Sequence, residues 1–208
     1  MLILPEKNAI FYHVYKVAGS SIRNALLPYA KRSQVAGQYI NHMLLVARLP
    51  HSSDPLLNYH PKLVDVKKKL GSSFYSYYRF AFVRNPMDWQ KSLYYFMLKK
   101  QHLPGNKRIA SMSFDEYLTW RMDNELRFQT DFLYDGDEKL IDDIFHFETI
   151  NEDFATLAGK IGIEASLPHL NKAGSGKTVD LSEPVLDRFM TLHAAEYDRL
   201  GYPRTRRV

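Results

Sequence analysis

The order of apolar and polar positions along the chain predicts strands and helices in alternation. Residues 8–15 form an aromatic and β-branched run that is typical of a buried strand, and the run at 79–83 (RFAFV) predicts a second strand. A helix is predicted over 61–70, because a proline opens this segment and Gly71 follows it. A third strand is predicted over 140–147. Strands that alternate with helices in this way favour an α/β fold.

Helices are predicted after the first two strands. Segment 21–32 follows the first strand, and segment 87–100 follows the second. Ser113 and Glu116 form a capping box, which predicts that another helix opens here and continues to about Met122.

The remaining segments differ in how clearly they can be interpreted. One helix is predicted from a cap at Asn151 through Lys160, and a long C-terminal helix from Ser182 to about Arg199. Residues 32–60 show no clear periodicity and are predicted to form loops and short turns. This stretch therefore contributes nothing to the predicted fold.

The chain carries no internal repeat, low-complexity tract or Gly/Ser-rich linker, which predicts a single domain over residues 1–208. The expected architecture is a three-layer α/β/α arrangement with a central, mainly parallel sheet. Ligands of such sheets bind beyond the carboxyl ends of the strands. The two strand-to-helix junctions, at 16–21 and 84–92, are therefore the first places where a binding site is expected.

Composition narrows the class of protein. The chain has 208 residues, of which 45% are hydrophobic and 13% aromatic, so it has enough apolar side chains to form a core and is not a disordered chain. It has no cysteine, which excludes disulfides, thiolate zinc sites and cysteine nucleophiles. No apolar run approaches the length of a membrane span, and the N-terminal segment lacks the pattern of a signal peptide. A cytoplasmic location is the expectation.

The net charge is mildly positive. Lys and Arg number 28 and Asp and Glu 23, giving 28 − 23 = +5, and three of the arginines lie within the last five residues. Such a surplus suits a polyanionic ligand or cofactor, whereas a nucleic-acid binder usually shows a denser stripe of basic residues. We expect no nucleic-acid partner.

The first junction, KVAGSSI at 16–22, has the features of an anion-binding loop. Small residues let the backbone turn into a helix, whose first N–H groups favour an anion, and Lys16 adds a full positive charge. An ordinary turn with a helix cap at Ser20 is the alternative. The loop is not a Walker A motif, because Val17 stands where a magnesium-binding hydroxyl is required after the lysine.

The second junction, FVRNPMDWQKSLYY, pairs an arginine with a serine. Arg84 ends the predicted strand, and Ser92 lies about two turns into the helix that Pro86 opens, roughly 9 Å along its axis. A guanidinium and a hydroxyl can together hold one phosphate group. The alternative is an arginine at the sheet edge and a serine packed within the helix.

Together the two junctions resemble those of the sulfotransferases, specifically the carbohydrate sulfotransferase group. That family carries P-K-T-G-G-T-S after its first strand and F-V-R-N/D-P-x-D/E-R-x-x-S-x-Y at its second junction. The segments NYHPKLVDVKKKLG, FHFETINEDF and LPHLNKAGSGK follow the family's order as well. The sequence departs from the pattern at three positions: Tyr15 replaces a proline, Val17 a threonine and Trp89 an arginine. Trp89 removes a positive charge, and a packed position in the helix is expected for it.

The resemblance implies a P-loop NTPase-like fold and transfer of a sulfuryl group from 3′-phosphoadenosine 5′-phosphosulfate (PAPS) to a hydroxyl, without a metal. It assigns the 5′ end of PAPS to the loop, the 3′-phosphate to Arg84 and Ser92, and closure over the cofactor to Asn171 and Lys172. The residues of the loop are Lys16, Val17, Ala18, Gly19, Ser20, Ser21 and Ile22.

Two catalytic residues follow from the same resemblance. His60, in NYHPKLVDV, matches the histidine that serves as the base in some members, and Lys16 is expected to neutralise charge on the bridging oxygen. His13 is expected to be packed, and His169 is a second candidate near the cofactor or acceptor. A core or surface role for His60 stays open.

Three functions remain in view at this point. The leading one is a sulfotransferase that acts on a saccharide or glycolipid and releases 3′-phosphoadenosine 5′-phosphate (PAP). The second is a P-loop-type kinase for a nucleotide or another small molecule, against which Val17 argues. The third is a non-catalytic polyanion-binding domain, for which only the net charge argues. The acceptor and the oligomeric state are left open by the sequence.

Overall fold

The computed structural model describes residues 1–103, 106–167 and 179–205. The chain divides into two compact units, one formed by Met1–Val83 with Asp131–Leu170 and the other by Arg84–Thr130 with Asn171–Val208. Each unit is described by itself below. The expectation of a single domain stays a prediction.

The described residues contain both strands and helices. The strands are β1 (Leu2–Leu4), β2 (Ala9–Tyr12), β3 (Tyr78–Val83), β4 (Tyr134–Asp135), β5 (Glu138–Lys139) and β6 (Asp143–His146). The helices are α1 (Gly19–Leu26), α2 (Arg32–Val46), α3 (Leu63–Leu70), α4 (Pro86–Lys99), α5 (Phe114–Asn124), α6 (Thr130–Leu133), α7 (Ile150–Ile161), α8 (Glu183–Leu192) and α9 (Ala194–Leu200). Elements β1–β3, α1–α3, β4–β6 and α7 belong to the first unit, and α4, α5, α8 and α9 belong to the second.

A four-stranded sheet organises the first unit. Its strand order is β1-β2-β3-β6, with β2 parallel to β3 and β3 parallel to β6. The strand β1 runs antiparallel to β2, so the sheet is mixed rather than uniformly parallel. The α/β fold and the three predicted strands are confirmed, and β1 was missed because three apolar residues before a proline carry no periodicity. The carboxyl ends of β2 and β3 lie at the same edge of the sheet, since Tyr12 pairs with Ala81.

The central strands are buried throughout. All four residues of β2 and the last four of β3 are fully inaccessible to solvent. Continuous apolar runs of this kind are typical of parallel strands covered on both faces. The burial explains why these two strands were recognisable from the sequence.

Three predicted helices in the first unit have different bounds from those expected, and one of them, α3, begins at Leu63 and not at the predicted residue 61. The helix α1 ends at Leu26 instead of reaching residue 32, and a short 3₁₀ turn over Leu27–Tyr29 follows it. Pro28 accounts for the early end, since it lacks the backbone N–H that would continue the helical hydrogen bonds. The helix α7 begins at Ile150 with Thr149 as its N-cap, so the predicted cap at Asn151 is wrong.

The prediction of loops and short turns over 32–60 is wrong, because α2 is a helix of 15 residues. Its buried side chains are Gln34, Gln38 and Asn41, while apolar side chains on the same helix are exposed. This is the reverse of the usual amphipathic pattern, in which apolar residues face the core. A periodicity search for a buried apolar stripe therefore finds nothing in this segment.

The second unit is helical, with an apolar core of its own. The capping box at Ser113 and Glu116 is present at the start of α5, as predicted. The predicted long C-terminal helix is instead two helices, α8 and α9, which meet at His193. The core of this unit consists of buried side chains from α4, α5, α8, α9 and a 3₁₀ turn: Met87, Tyr94, Ile109, Phe114, Tyr117, Leu118, Met122, Leu186, Phe189 and Tyr197.

Candidate functional site

The loop that follows β2 has an unusual backbone. Lys16 and Ala18 both adopt positive φ angles, of 66° and 56°, which non-glycine residues rarely adopt. Ala18 is the N-cap of α1, and among the described residues no side chain forms the capping hydrogen bond. The alternative interpretation, an ordinary turn with a helix cap at Ser20, is therefore wrong about the cap. Strained residues at a helix start are a recurrent feature of binding loops, and the first N–H groups of the helix favour an anion.

The side chains of this loop divide into two groups. Val17 and Ile22 are fully buried, so neither residue exposes surface to solvent. Ser20 is exposed, and Lys16 and Ser21 are half-buried. The hydroxyl groups and the ammonium group are thus the side-chain donors of the loop, and all of them suit an anionic ligand.

Gly19 is required by the close approach of His13. A Cβ atom at position 19 would lie 1.6 Å from Nε2 of His13. The ring of His13 is buried and stacks on Phe11, with 5.8 Å between the ring centroids. The expectation that His13 is packed is confirmed, and its ring supports the first turn of α1 from below.

His60 lies beside His13 with a defined tautomer. Its Nδ1 lies 2.8 Å from the backbone oxygen of His13. Because a carbonyl oxygen only accepts hydrogen bonds, Nδ1 carries the proton, and Nε2 is left with a lone pair. The ring also makes edge contacts with the rings of His13 and Tyr15, with centroid distances of 4.4 and 6.0 Å. His60 therefore presents an imidazole nitrogen that can accept a proton.

Both histidines stay neutral near pH 7. Burial lowers the pKa of His60 below its ordinary value of 6.5, an effect larger than the opposing hydrogen bond to His13. Burial also lowers the pKa of His13, to about 2. A neutral His60 is the form that can act as a general base.

In the second unit, Arg84 is held by the side chain of a buried glutamine. The backbone N–H of Arg84 donates to Oε1 of Gln129 at 2.9 Å, and Nε2 of Gln129 donates to the backbone oxygen of Arg84 at 2.7 Å. Gln129 is completely inaccessible to solvent. One amide side chain therefore satisfies both backbone groups of Arg84 and fixes the residue from which the guanidinium extends.

Gln129 is itself held by Glu196, which lies on α9. The backbone N–H of Gln129 donates to Oε1 of Glu196 at 2.5 Å. The other carboxylate oxygen accepts from Nδ1 of His193 at 2.7 Å, and both of these side chains are buried. The ring of His193 stacks on Phe189 with 3.9 Å between the centroids. Arg84 is thus at the end of a buried polar chain that begins on the C-terminal helices of its unit.

The start of α4 agrees with the prediction made at Pro86. Asn85 is the N-cap, and its side chain accepts from the backbone N–H groups of Met87 and Asp88. Ser92 lies within α4 and is half-buried. Trp89 is fully buried, as expected for a packed residue of this helix.

Some of the predicted residues lie outside the part of the chain that the structure describes. These are Asn171, Lys172 and His169. Among the described residues, no group of three or more His, Asp and Glu side chains is arranged to hold a metal ion. No helix within the described ranges is both long and apolar enough to cross a membrane.

Sequence reasoning missed the residues that support the site from a distance. Gln129 is 45 positions from Arg84 along the chain and has no motif around it. Glu196 is 67 positions from Gln129. The contact between Gly19 and His13 had a partial signal, since a glycine just inside a helix indicates close packing.

Comparison with known proteins agrees with the two junctions. No curated protein and no solved structure gives a significant match to the chain. A family model described as "Sulfotransferase family" matches residues 1–183, which is most of the chain and includes both junctions and His60. The chain belongs to the sulfotransferase family.

Proposed function

We propose that the protein transfers a sulfuryl group from PAPS to a hydroxyl group of a saccharide or a glycolipid. The observation that carries this proposal is the loop from Lys16 to Ala18, with its two positive φ angles and the uncapped first turn of α1 behind it. Membership of the sulfotransferase family supports sulfuryl transfer as the reaction class. A P-loop NTPase-like arrangement of β2, this loop and α1 is part of the proposal.

The donor groups of the loop fit the 5′ end of PAPS. Its side-chain donors are an ammonium group and two hydroxyls, on Lys16, Ser20 and Ser21, and the loop contains no carboxylate. The backbone N–H groups at the start of α1 add further donors. Such a set favours the sulfate and phosphate oxygens of an anionic ligand over a neutral or cationic one.

Arg84 and Ser92 are proposed to bind the 3′-phosphate. A guanidinium offers a planar pair of N–H donors that matches two phosphate oxygens. The double hydrogen bond from Gln129 to the backbone of Arg84 supports this role, because it orients the residue before a ligand arrives. Asn171 and Lys172 are proposed to contribute to cofactor binding as well.

His60 is proposed to be the general base. Its Nε2 accepts the proton of the acceptor hydroxyl, while the carbonyl oxygen of His13 stabilises the imidazolium that forms through Nδ1. Lys16 is proposed to neutralise the negative charge that develops on the bridging oxygen of the leaving group. Bound PAPS would supply the sulfuryl group: the bond between sulfur and the 5′-phosphate oxygen would break as the acceptor oxygen bonds to sulfur, and the nucleotide would leave as PAP. No metal ion is part of the proposed mechanism.

A transfer assay tests this function. The protein is incubated with PAPS and a panel of saccharides and glycolipids, and mass spectrometry follows both the sulfated acceptor and PAP. We expect the two products in equal amounts without magnesium. For His60→Asn we expect PAPS to be consumed only at the background rate. A protein that leaves PAPS intact but transfers phosphate from ATP with magnesium would be a kinase, and the proposal would be wrong.

A further inference from the structure

The helix α2 has its polar side facing the protein. Gln34, Gln38 and Asn41 are spaced so that they share one face, and at 6%, 0% and 6% exposure all three are buried. Gln34 and Gln38 donate to the backbone oxygen of Leu56, both at 3.1 Å. Asn41 donates to the backbone oxygen of Ser52 and accepts from its N–H. These amides hold the segment that follows the helix.

The opposite side of α2 is apolar and exposed. Tyr39, Ile40, Met43 and Val46 are 61%, 58%, 51% and 66% exposed. Their spacing puts them within one face of the helix, since residues three and four apart are neighbours on its surface. Leu49, just beyond the helix, is 52% exposed. We call Tyr39, Ile40, Met43, Val46 and Leu49 the apolar face of α2. No part of the described chain covers it.

The stretch of chain that carries the apolar face has basic residues and no acidic ones. Residues 7–53 contain no Asp or Glu. Lys31 and Arg32, at the start of α2, and Arg48, just after its end, are all exposed. A second copy of the chain packed on this face would bring cations next to cations, which opposes self-association. The positive charges beside the apolar face therefore favour an anionic partner.

We propose that the apolar face of α2 binds the surface of an anionic lipid bilayer. A helix with apolar side chains on one face and basic residues at its margins lies in the plane of the bilayer interface, with the apolar groups among the acyl chains. Tyrosine is enriched at this depth, because its ring is apolar and its hydroxyl polar. Lys31, Arg32 and Arg48 contact the lipid headgroups. This inference does not depend on the proposed reaction.

Vesicle co-sedimentation tests the inference with the complete chain. The probes are vesicles of phosphatidylcholine alone and of phosphatidylcholine with about a third phosphatidylserine. We expect binding to the anionic vesicles, reduced by high salt, and much weaker binding to the neutral ones. In the triple variant Ile40→Ser, Met43→Ser and Val46→Ser, the partition coefficient of the protein onto anionic vesicles is expected to fall at least about tenfold.

A charge variant separates loss of binding from loss of folding. Lys31→Glu with Arg32→Glu reverses two charges at the start of α2, where acidic residues favour the helix dipole, so the helix should form at least as well. Binding to anionic vesicles should fall by about thirtyfold or more. The matched control for the triple serine variant is Leu126→Ser with Leu192→Ser. It removes two apolar side chains that lie away from this face and are each 38% exposed. It should bind as the unchanged protein does.

Three results would overturn the inference. One is equal binding to neutral and anionic vesicles, and another is undiminished binding of the charge variant. The third is a dimer in sedimentation equilibrium that the triple serine variant abolishes while vesicle binding is absent, because a second copy would then be the occupant of this face.

Discussion

The two strand-to-helix junctions are built in different ways. At the first, the residues that shape the loop lie close together in the chain: Lys16, Ala18 and Gly19 turn the backbone, and His13 packs beneath it. At the second, Arg84 takes its position from Gln129 and Glu196, which are far away in the chain. A loop that depends on local backbone conformation can be recognised from sequence, whereas an arginine held by a buried polar chain cannot.

The largest expected effect concerns the base beside the first junction. His60→Asn should lower kcat by about 10²–10⁴, because the substrate hydroxyl then lacks the base that takes its proton. The affinity for PAP should stay the same, since the side chain is assigned to proton transfer only. Steady-state kinetics and calorimetry measure the two quantities, with His102→Asn, an exposed histidine, as the control. Equal losses in kcat and in PAP affinity would contradict the assignment.

The pH profile adds a second check on the same residue. Because burial lowers the pKa of His60 below 6.5, the neutral form persists into mildly acidic solution. The value of kcat/KM should be flat near pH 7 and fall on the acid side with an apparent pKa below 6.5. An acid limb with an apparent pKa above 6.5 would contradict the lowered pKa of His60.

Local packing at the first junction is broken by Gly19→Ala. The added methyl carbon would meet the ring of His13, so the loop or the ring must shift. We expect PAP affinity to fall by about 100-fold and the free energy of unfolding by about 1–3 kcal/mol. Gly159→Ala is the control, since a Cβ there meets nothing within 4 Å and should stabilise α7 by about 0.5–1 kcal/mol. Unchanged PAP affinity in Gly19→Ala would show that this contact does not shape the loop.

Gln129→Met removes the side-chain amide that binds the backbone of Arg84 at the second junction. This change leaves the N–H and the carbonyl of Arg84 without their partner, at about 1–3 kcal/mol for each buried group. We expect PAP affinity to fall by about 10–100-fold, with AMP affinity nearly unchanged. Calorimetry with both nucleotides measures the ratio.

The matched control is Gln90→Met, because Gln90 is also buried in this unit but accepts from the hydroxyl of Tyr117. Its stability should fall, while its preference for PAP over AMP should not change. If both variants lose PAP and AMP affinity alike, the buried chain through Glu196 only stabilises the fold.

The smallest expected effect is the pH dependence of stability that His13 imposes. The buried ring stays neutral in the folded state, with a pKa of about 2, whereas the unfolded ring titrates near 6.5. Protons therefore favour the unfolded state as the pH falls below 6.5. Between about pH 7.5 and pH 5 this costs about 2 kcal/mol in the free energy of unfolding.

Urea unfolding at the two pH values measures this change. His13→Gln should lose that part of the pH dependence, even where it is less stable at every pH. His102→Gln should retain it, because that side chain is exposed. If the free energy of unfolding of His13→Gln changes with pH as much as that of the unchanged protein, other groups cause the acid sensitivity.

The parts of the fold that were predicted are determined by residues close to one another in the sequence. The strands β2 and β3 are buried apolar runs, and α4 and α5 begin at caps that lie within a few residues of the helix start. The helix α2 was missed because its buried face is made of amides, so its apolar residues point away from the core. Burial of an amide depends on backbone partners such as Leu56, which no pattern within the helix reveals.

The candidate site was predictable to the same extent. The loop and His60 have recognisable sequence surroundings, and the family match includes them. The tautomer of His60 depends on the carbonyl of a residue 47 positions earlier, and the orientation of Arg84 depends on Gln129. Contacts over such separations are set by the packing of the whole unit.

We propose that the protein recognises both anionic ends of a 3′-phosphorylated adenine nucleotide. Calorimetric titration without magnesium, with PAP and with AMP as the matched ligand that lacks the 3′-phosphate, tests it most directly. We expect tight binding of PAP, weak binding of AMP, and loss of this difference in Arg84→Ala. Equal affinities for the two nucleotides, or stronger binding of ATP with magnesium, would contradict it.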